Sequence, residues 1–180
     1  MTQDTRRSLR VTGIPLSGVW WRHVPVGVDP LGRAHVAADG RWQRGEVVEA
    51  VYLADSPETA WAEWYRALAE LGLPPHRALP RDLWRFRLDV EVADLSSPAA
   101  LRAVGLNSPG PSRAGWPAFQ AVGERLFSEA WPGLVAPSAA RPSHLVACMF
   151  RPGGRLKGVR RLGPPRRIAT PPVPPTGMTT

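Results

Sequence analysis

At 180 residues, 43% hydrophobic and 21% charged, the chain has the length and composition of one soluble globular domain with a real core, and is too short for two ordinary ones. No apolar run reaches membrane-spanning length, and the polar start MTQDTRRSLR lacks the apolar stretch of a secretory signal, so a cytoplasmic protein without membrane contact is expected. The net charge of +8 is concentrated: residues 151–180 hold seven basic residues and no acid, and setting those seven aside leaves +1 for residues 1–150, which argues against nucleic-acid binding by the folded part.

Residues 1–12 are polar and expected to be a flexible N-terminus. The stretch SGVWWRHVPV (17–26) reads as a strand. Within it Arg22 either points to water at a strand edge or meets a carboxylate, a phosphate or a carbonyl, because a buried guanidinium needs such a partner. His23 reads as a hydrogen-bonded strand residue, since no second ligand stands at metal-binding spacing. The glycine-rich segment 29–45 reads as a loop over the next strand; Arg41 faces a candidate anion, whereas Arg33 and Arg44 belong to a plain connector.

EVVEAVYLA (46–54) is short and rich in β-branched residues, a buried strand that includes Tyr52. Ser56 and Pro57 then open a helix in which Ala60, Trp61, Trp64, Leu68 and Leu71 form one apolar face. Glu63 stands beside that face, as either a boundary carboxylate reaching for water or a site residue. After a proline-bounded turn, DLWRFRLDVEVADL (82–95) alternates apolar and charged residues, the pattern of a half-exposed antiparallel strand. A short helix candidate and a Gly/Pro/Ser-rich loop precede a second amphipathic helix over about 117–130, with Phe119, Val122, Leu126 and Phe127 as its stripe and Gln120 close by. GLVAP reads as a short strand, PSAARPS as a turn flanked by Ser138 and Ser143, and HLVACMF as the last buried strand, with Cys148 as its small filler. The remaining segment, with seven of the chain's 21 prolines, reads as a partly extended or disordered extension.

These elements describe an α+β fold: a single compact domain with a central, mostly antiparallel sheet and flanking helices. The expected division is a flexible 1–12, a catalytic domain at 13–151 and a basic, proline-rich tail at 152–180.

The chemistry left open is narrow. The sequence holds no G-x-S-x-G elbow, no phosphate-binding G-x-x-x-x-G-K-[ST], no G-x-G-x-x-G and no His or Cys pairing suited to zinc, so no metal is expected. A sparse set remains: Arg22, Arg41, Tyr52, Glu63 and Ser138. It suits cleavage of an N-glycosidic bond next to a diphosphate, with arginines holding phosphates, an aromatic stacking on a ring and a carboxylate stabilising the sugar's cationic transition state.

The order of these segments resembles the RES-domain family, named for an arginine, a glutamate and a serine. The matching pieces are WR at 21–22, GRW followed by G at 40–45, VYLADSPETAWAE at 51–63, the helix bearing Gln120, and GLVAPSAAR at 133–141. On that resemblance the triad falls on Arg22, Glu63 and Ser138, the last preferred to Ser143 because it stands in the P-S-x-x-R turn. Arg41 and Tyr52 match further pocket positions, and His23 stands where an aromatic, often tyrosine, is common. The resemblance implies a fold similar to ADP-ribosyltransferases and a bacterial toxin that consumes NAD+ as substrate by hydrolysis or phosphorolysis, or transfers ADP-ribose to a protein. In these roles Arg22 and Arg41 bind the pyrophosphate, Tyr52 packs against the nicotinamide or its ribose, Glu63 orients the ribose hydroxyls, Ser138 bonds the nicotinamide end, and His23 is a further NAD+-binding residue. The implied partner is a cognate Xre-like helix-turn-helix antitoxin, through which alone nucleic acid is contacted. A non-catalytic binding module whose basic tail meets an acidic partner or nucleic acid is the alternative from another class.

Overall fold

The alternating stretch expected at 82–95 is the spine of the molecule, described here from a computed structural model that covers residues 8–33 and 37–179. Strand β1 (Gly13–Pro25) pairs antiparallel along the whole of β3 (Arg81–Asp94), from Gly13↔Ala93 to Pro25↔Arg81. Phe86, Leu88, Val90 and Val92 of β3 are buried, while Arg85, Arg87, Asp89 and Glu91 are exposed, so the period-two pattern sorts the two faces as it should. From the other edge of β3, β4 (Gly133–Pro137) leads through β5 (Leu145–Phe150) to β2 (Ala50–Ala54), which returns to β1. The sheet therefore closes on itself, and all its pairings are antiparallel except β3–β4.

Two strands lie beyond the boundary expected at residue 151. β6 (Val159–Arg161) pairs with β3 at 86–88 and β7 (Arg166–Ile168) pairs with it at 81–83, covering the part of the β3 edge that β4 leaves open. The basic extension is thus partly sheet; an unpaired edge of backbone N–H and C=O groups recruits a strand whatever its side chains. The N-terminal expectation is also modified where it can be tested: residues 1–7 lie outside the described residues, but Leu9 N donates to Glu129 Oε1 at 3.1 Å, and Leu9 and Val11 pack on the core. The strand expected at 46–54 is shorter: Val47 N and Val48 N close a turn on the Arg44 carbonyl, and β2 begins at Ala50.

Helix α1 (Pro57–Leu71) starts where its caps dictate. Ser56 is extended and accepts from Thr59 N at 3.1 Å, and Gly72 ends the helix in the left-handed region at φ 63°. Its Trp61, Trp64 and Leu68 pack with Leu83 of β3 and fix the helix against the outer side of the sheet. The short helix α2 (Pro98–Ala103), capped by Ser97, and α3 (Trp116–Ser128) cover a second core around Trp42, Leu101, Phe119 and Leu126. The inside of the closed sheet holds Trp20, Leu53, Phe86 and Met149. Among the described residues no helix is long and apolar enough to cross a membrane.

Candidate active site

Closing the sheet leaves one weak seam. β1 and β2 meet at the single register pair Trp21↔Ala54, and Arg22 stands at the next position of β1. Its Nη1 donates to the Tyr52 carbonyl at 3.1 Å, across the splayed strands. Its Nε is buried without a partner, and no carboxylate among the described residues lies within ion-pair distance. Burial, with Arg81 and Arg151 nearby, pushes the Arg22 pKa down to about 10, so the group stays charged at neutral pH. A half-buried cation with spare donors and only cations for charged neighbours is costly as structure and well suited to binding an anion.

The segment 38–45 forms the second wall. Arg41 is buried, its Nη2 donates to the Gly110 carbonyl at 2.7 Å, and its guanidinium lies 5.4 Å from the Phe119 ring and 5.8 Å from that of Trp116. It too has no carboxylate partner among the described residues, and burial followed by the charge of Arg66 lowers its pKa. The segment is tied down by neutral groups. Tyr52 Oη accepts from Trp42 N at 3.0 Å and donates to Gln43 Oε1, while Gln120 Nε2 donates to the Gly40 carbonyl at 3.0 Å. Gly40 and Gly123 matter for the same reason: a Cβ on the first would strike the Tyr52 hydroxyl, and on the second the Trp42 carbonyl. Burial raises the Tyr52 pKa well above the ordinary tyrosine value, so the hydroxyl remains a donor. Arg33 and Arg44, expected to be connectors, are paired at the surface with Glu49 and Glu124.

Glu63 supplies the third wall from α1. Its Oε1 accepts from Ser138 Oγ at 2.6 Å and from Ala140 N at 3.2 Å, and its Oε2 accepts from Arg66 Nε at 3.1 Å. Arg66 in turn bridges to Glu70 and to the Pro111 carbonyl. The carboxylate is therefore held in one orientation, with its side chain 26% exposed toward the cavity. Ser138 is fully buried, and its Oγ also accepts from Arg141 N at 3.0 Å. A direct contact between Ser138 and the nicotinamide end is not what this geometry supports: its one proton is already given to Glu63, so its influence passes through that carboxylate. Ser143 is exposed.

His23 borders the cavity but is committed to the protein. Its ring stacks on Trp61 at 4.3 Å with a 3° interplanar angle, and Nδ1 accepts from Arg81 Nε at 2.7 Å, which leaves Nε2 to donate to the Ala60 carbonyl at 3.2 Å. Burial first and Arg81 second hold its pKa down at about 3, so the ring is neutral and offers a ligand only its edge.

Arg22, His23, Arg41, Tyr52 and Glu63 thus surround one cavity of about 350 Å³, with Ser138 behind Glu63. Sequence reasoning missed Arg66, Asp39 and the rings of Trp21, Trp64 and Trp116, which also line it. For Arg66 a signal was present, since Glu63 and Glu70 flank it at the i−3 and i+4 positions of one helix face. Among the described residues no three His, Cys, Asp or Glu side chains group to hold a metal ion.

The fold is a closed sheet flanked by helices with an arginine-lined cavity at its seam, and the chain belongs to the RES-domain family, whose model matches residues 19–168. It is 31% identical over 103 residues to the NAD(+) phosphorylase MbcT of Mycobacterium tuberculosis and to that of Mycobacterium bovis. Those alignments cover 56% of this chain and 55% of the relatives, so the likeness spans about half of each. The fold is similar to a chain of the M. tuberculosis MbcT–MbcA toxin–antitoxin complex, with a TM-score of 0.74 and 23% identity over 87% of this chain and 85% of that one.

Proposed function

We propose that this protein is a toxin-like enzyme that consumes NAD+ by breaking the bond between nicotinamide and ribose, with inorganic phosphate as the acceptor. The observation that carries the reading is the pair Arg22 and Arg41, two cations without carboxylate ion-pair partners among the described residues, which border the same cavity as an oriented Glu63. A pyrophosphate bridging the guanidinium groups would supply each with the bonded anion that it lacks among the described residues. Glu63 then faces the nicotinamide ribose, aligns its hydroxyls and stabilises the positive charge that develops as the C–N bond lengthens. The nicotinamide leaves with the bonding electron pair as a neutral ring, a phosphate oxygen bonds to the same carbon, and the phosphate proton passes to solvent. Tyr52 packs on the nicotinamide side, His23 borders it with a ring edge, and Ser138 keeps Glu63 in place.

The relatives named NAD(+) phosphorylase MbcT support phosphate as acceptor, and the MbcT–MbcA complex supports a protein antitoxin as partner. In this reading the antitoxin is of Xre-like helix-turn-helix type, the protein acts in the cytoplasm, and the fold is similar to that of ADP-ribosyltransferases. Purified protein incubated with NAD+ and phosphate is the test: nicotinamide and ADP-ribose 1″-phosphate should form in equal amounts. Free ADP-ribose without the phosphorylated product would make water the acceptor, label on a protein band would make it a protein side chain, and no nicotinamide release under any of these conditions overturns the proposal.

A further inference from the structure

The turn that seats Glu63 is itself gripped from behind by residues near the end of the described chain. After β7, the segment ATPPVPPTGMT (169–179) crosses α1, where Tyr65 Oη donates to the Pro172 carbonyl, and reaches the turn after β4. There Thr179 N donates to the Ala140 carbonyl at 2.8 Å and Thr179 Oγ1 donates to the Ala139 carbonyl at 2.9 Å. The match to the RES-domain model ends at residue 168, so this segment lies outside it.

Those two carbonyls belong to particular peptide units. The one shared by residues 139 and 140 carries the Ala140 N–H that donates to Glu63 Oε1, and the one shared by residues 140 and 141 carries the Arg141 N–H that donates to Ser138 Oγ. A peptide unit is planar, so fixing its C=O fixes the direction of its N–H. Bonding the oxygen also polarises the amide and strengthens the bond its hydrogen makes. Prolines 171, 172, 174 and 175 restrict the strap to extended conformations, which lowers the entropy lost in laying it down.

We propose that residues 169–179 form a strap that positions Glu63, with Thr179 as its positioning residue. The strap aims two amide groups at the carboxylate and its serine, from outside the cavity and without touching a ligand. As an account of catalysis this rests on the NAD+-cleaving reading; as an account of the turn it does not.

The test uses point variants of the whole 180-residue chain, because Thr179 is exposed and its replacement leaves the core intact. In Thr179→Pro both donors disappear, in Thr179→Val only the hydroxyl, and in Tyr65→Phe the tie to Pro172. Hydrogen exchange of the Ala140 amide should quicken about two- to tenfold in Thr179→Val, the range that one hydrogen bond supports, and in Thr179→Pro the Arg141 amide should quicken as well. The kcat for NAD+ should fall in the same order while KM stays within about twofold, since Arg22 and Arg41 are untouched, and Thr179→Ser should restore both readouts. Unchanged exchange in Thr179→Pro overturns the strap, and faster exchange with an unchanged kcat overturns its positioning role. If the parent protein consumes no NAD+, the functional reading fails by itself and exchange alone decides the strap.

Discussion

Replacing Ser138 with alanine separates two roles that a serine close to a cavity invites. In the structure its hydroxyl makes one donated bond to a carboxylate, at 2.6 Å to Glu63 Oε1, and accepts from Ala140 N and Arg141 N at 3.2 and 3.0 Å. Bonds to charged groups contribute about 1.5–3 kcal/mol, and an orphaned buried donor costs about 1–3 kcal/mol. Ala140 N keeps Glu63 as a second acceptor, so Arg141 N is the main orphan. The expected loss is therefore about 2–4 kcal/mol of folding stability, or roughly 5–15 °C in Tm for a chain of this size. Glu63 would also be free to swing toward Arg66, so kcat for NAD+ cleavage should drop at least about tenfold with little change in KM. Urea denaturation gives the first number and steady-state kinetics with NAD+ and phosphate the second. A variant of near-parental stability whose KM rises more than about tenfold would show that Ser138 binds the ligand directly, and the argument from its burial would be wrong.

Other changes probe the remaining walls. Arg22→Leu should abolish NAD+ cleavage while leaving stability unchanged or higher by about 1 kcal/mol, because it removes a half-buried cation that has no ion-pair partner among the described residues; thermal unfolding and nicotinamide release measured together check both halves. Glu63→Gln should stay folded, with the amide oxygen still accepting from Ser138, and lose activity by at least about a hundredfold, a value read from initial rates. His23 is held neutral with a pKa of about 3 against 6.5 when unfolded, so the unfolded chain binds the extra proton between those values. Its contribution to stability is intact above pH 6.5 and should be lost at up to about 1.4 kcal/mol per pH unit as the pH falls toward 3; urea denaturation across that range should show this slope in the parent and not in His23→Phe. Gly123→Ala should destabilise the protein by about 2 kcal/mol or more, since the added methyl meets a backbone carbonyl that cannot step aside, with Tm as the readout.

Some of the site was legible because its signals are local. Ser56 and Pro57 start α1 by their own backbone chemistry, and the tryptophan stripe orients that helix so that Glu63 lies at the edge of the buried face. The alternation in β3 names its inner and outer residues before any partner is known. Arg22 inside an apolar strand announces a need for a partner, and the resemblance of the motifs to the RES family supplied the grouping with Glu63, Arg41, Tyr52 and Ser138.

What the sequence by itself determined are the elements governed by neighbours within a few residues: caps, helix faces, strand alternation, and the family to which the motif order belongs. Three features were decided only by the tertiary structure, because each depends on groups far apart along the chain. The arginine-rich β6 and β7 have no strand pattern of their own and form because the β3 edge offers unsatisfied backbone groups. Ser138 turned away from the cavity because Glu63, 75 residues distant, is the stronger acceptor for its proton. Thr179 reaches that same turn only because the sheet brings the end of β7 back beside α1, where two carbonyl groups are open to its donors.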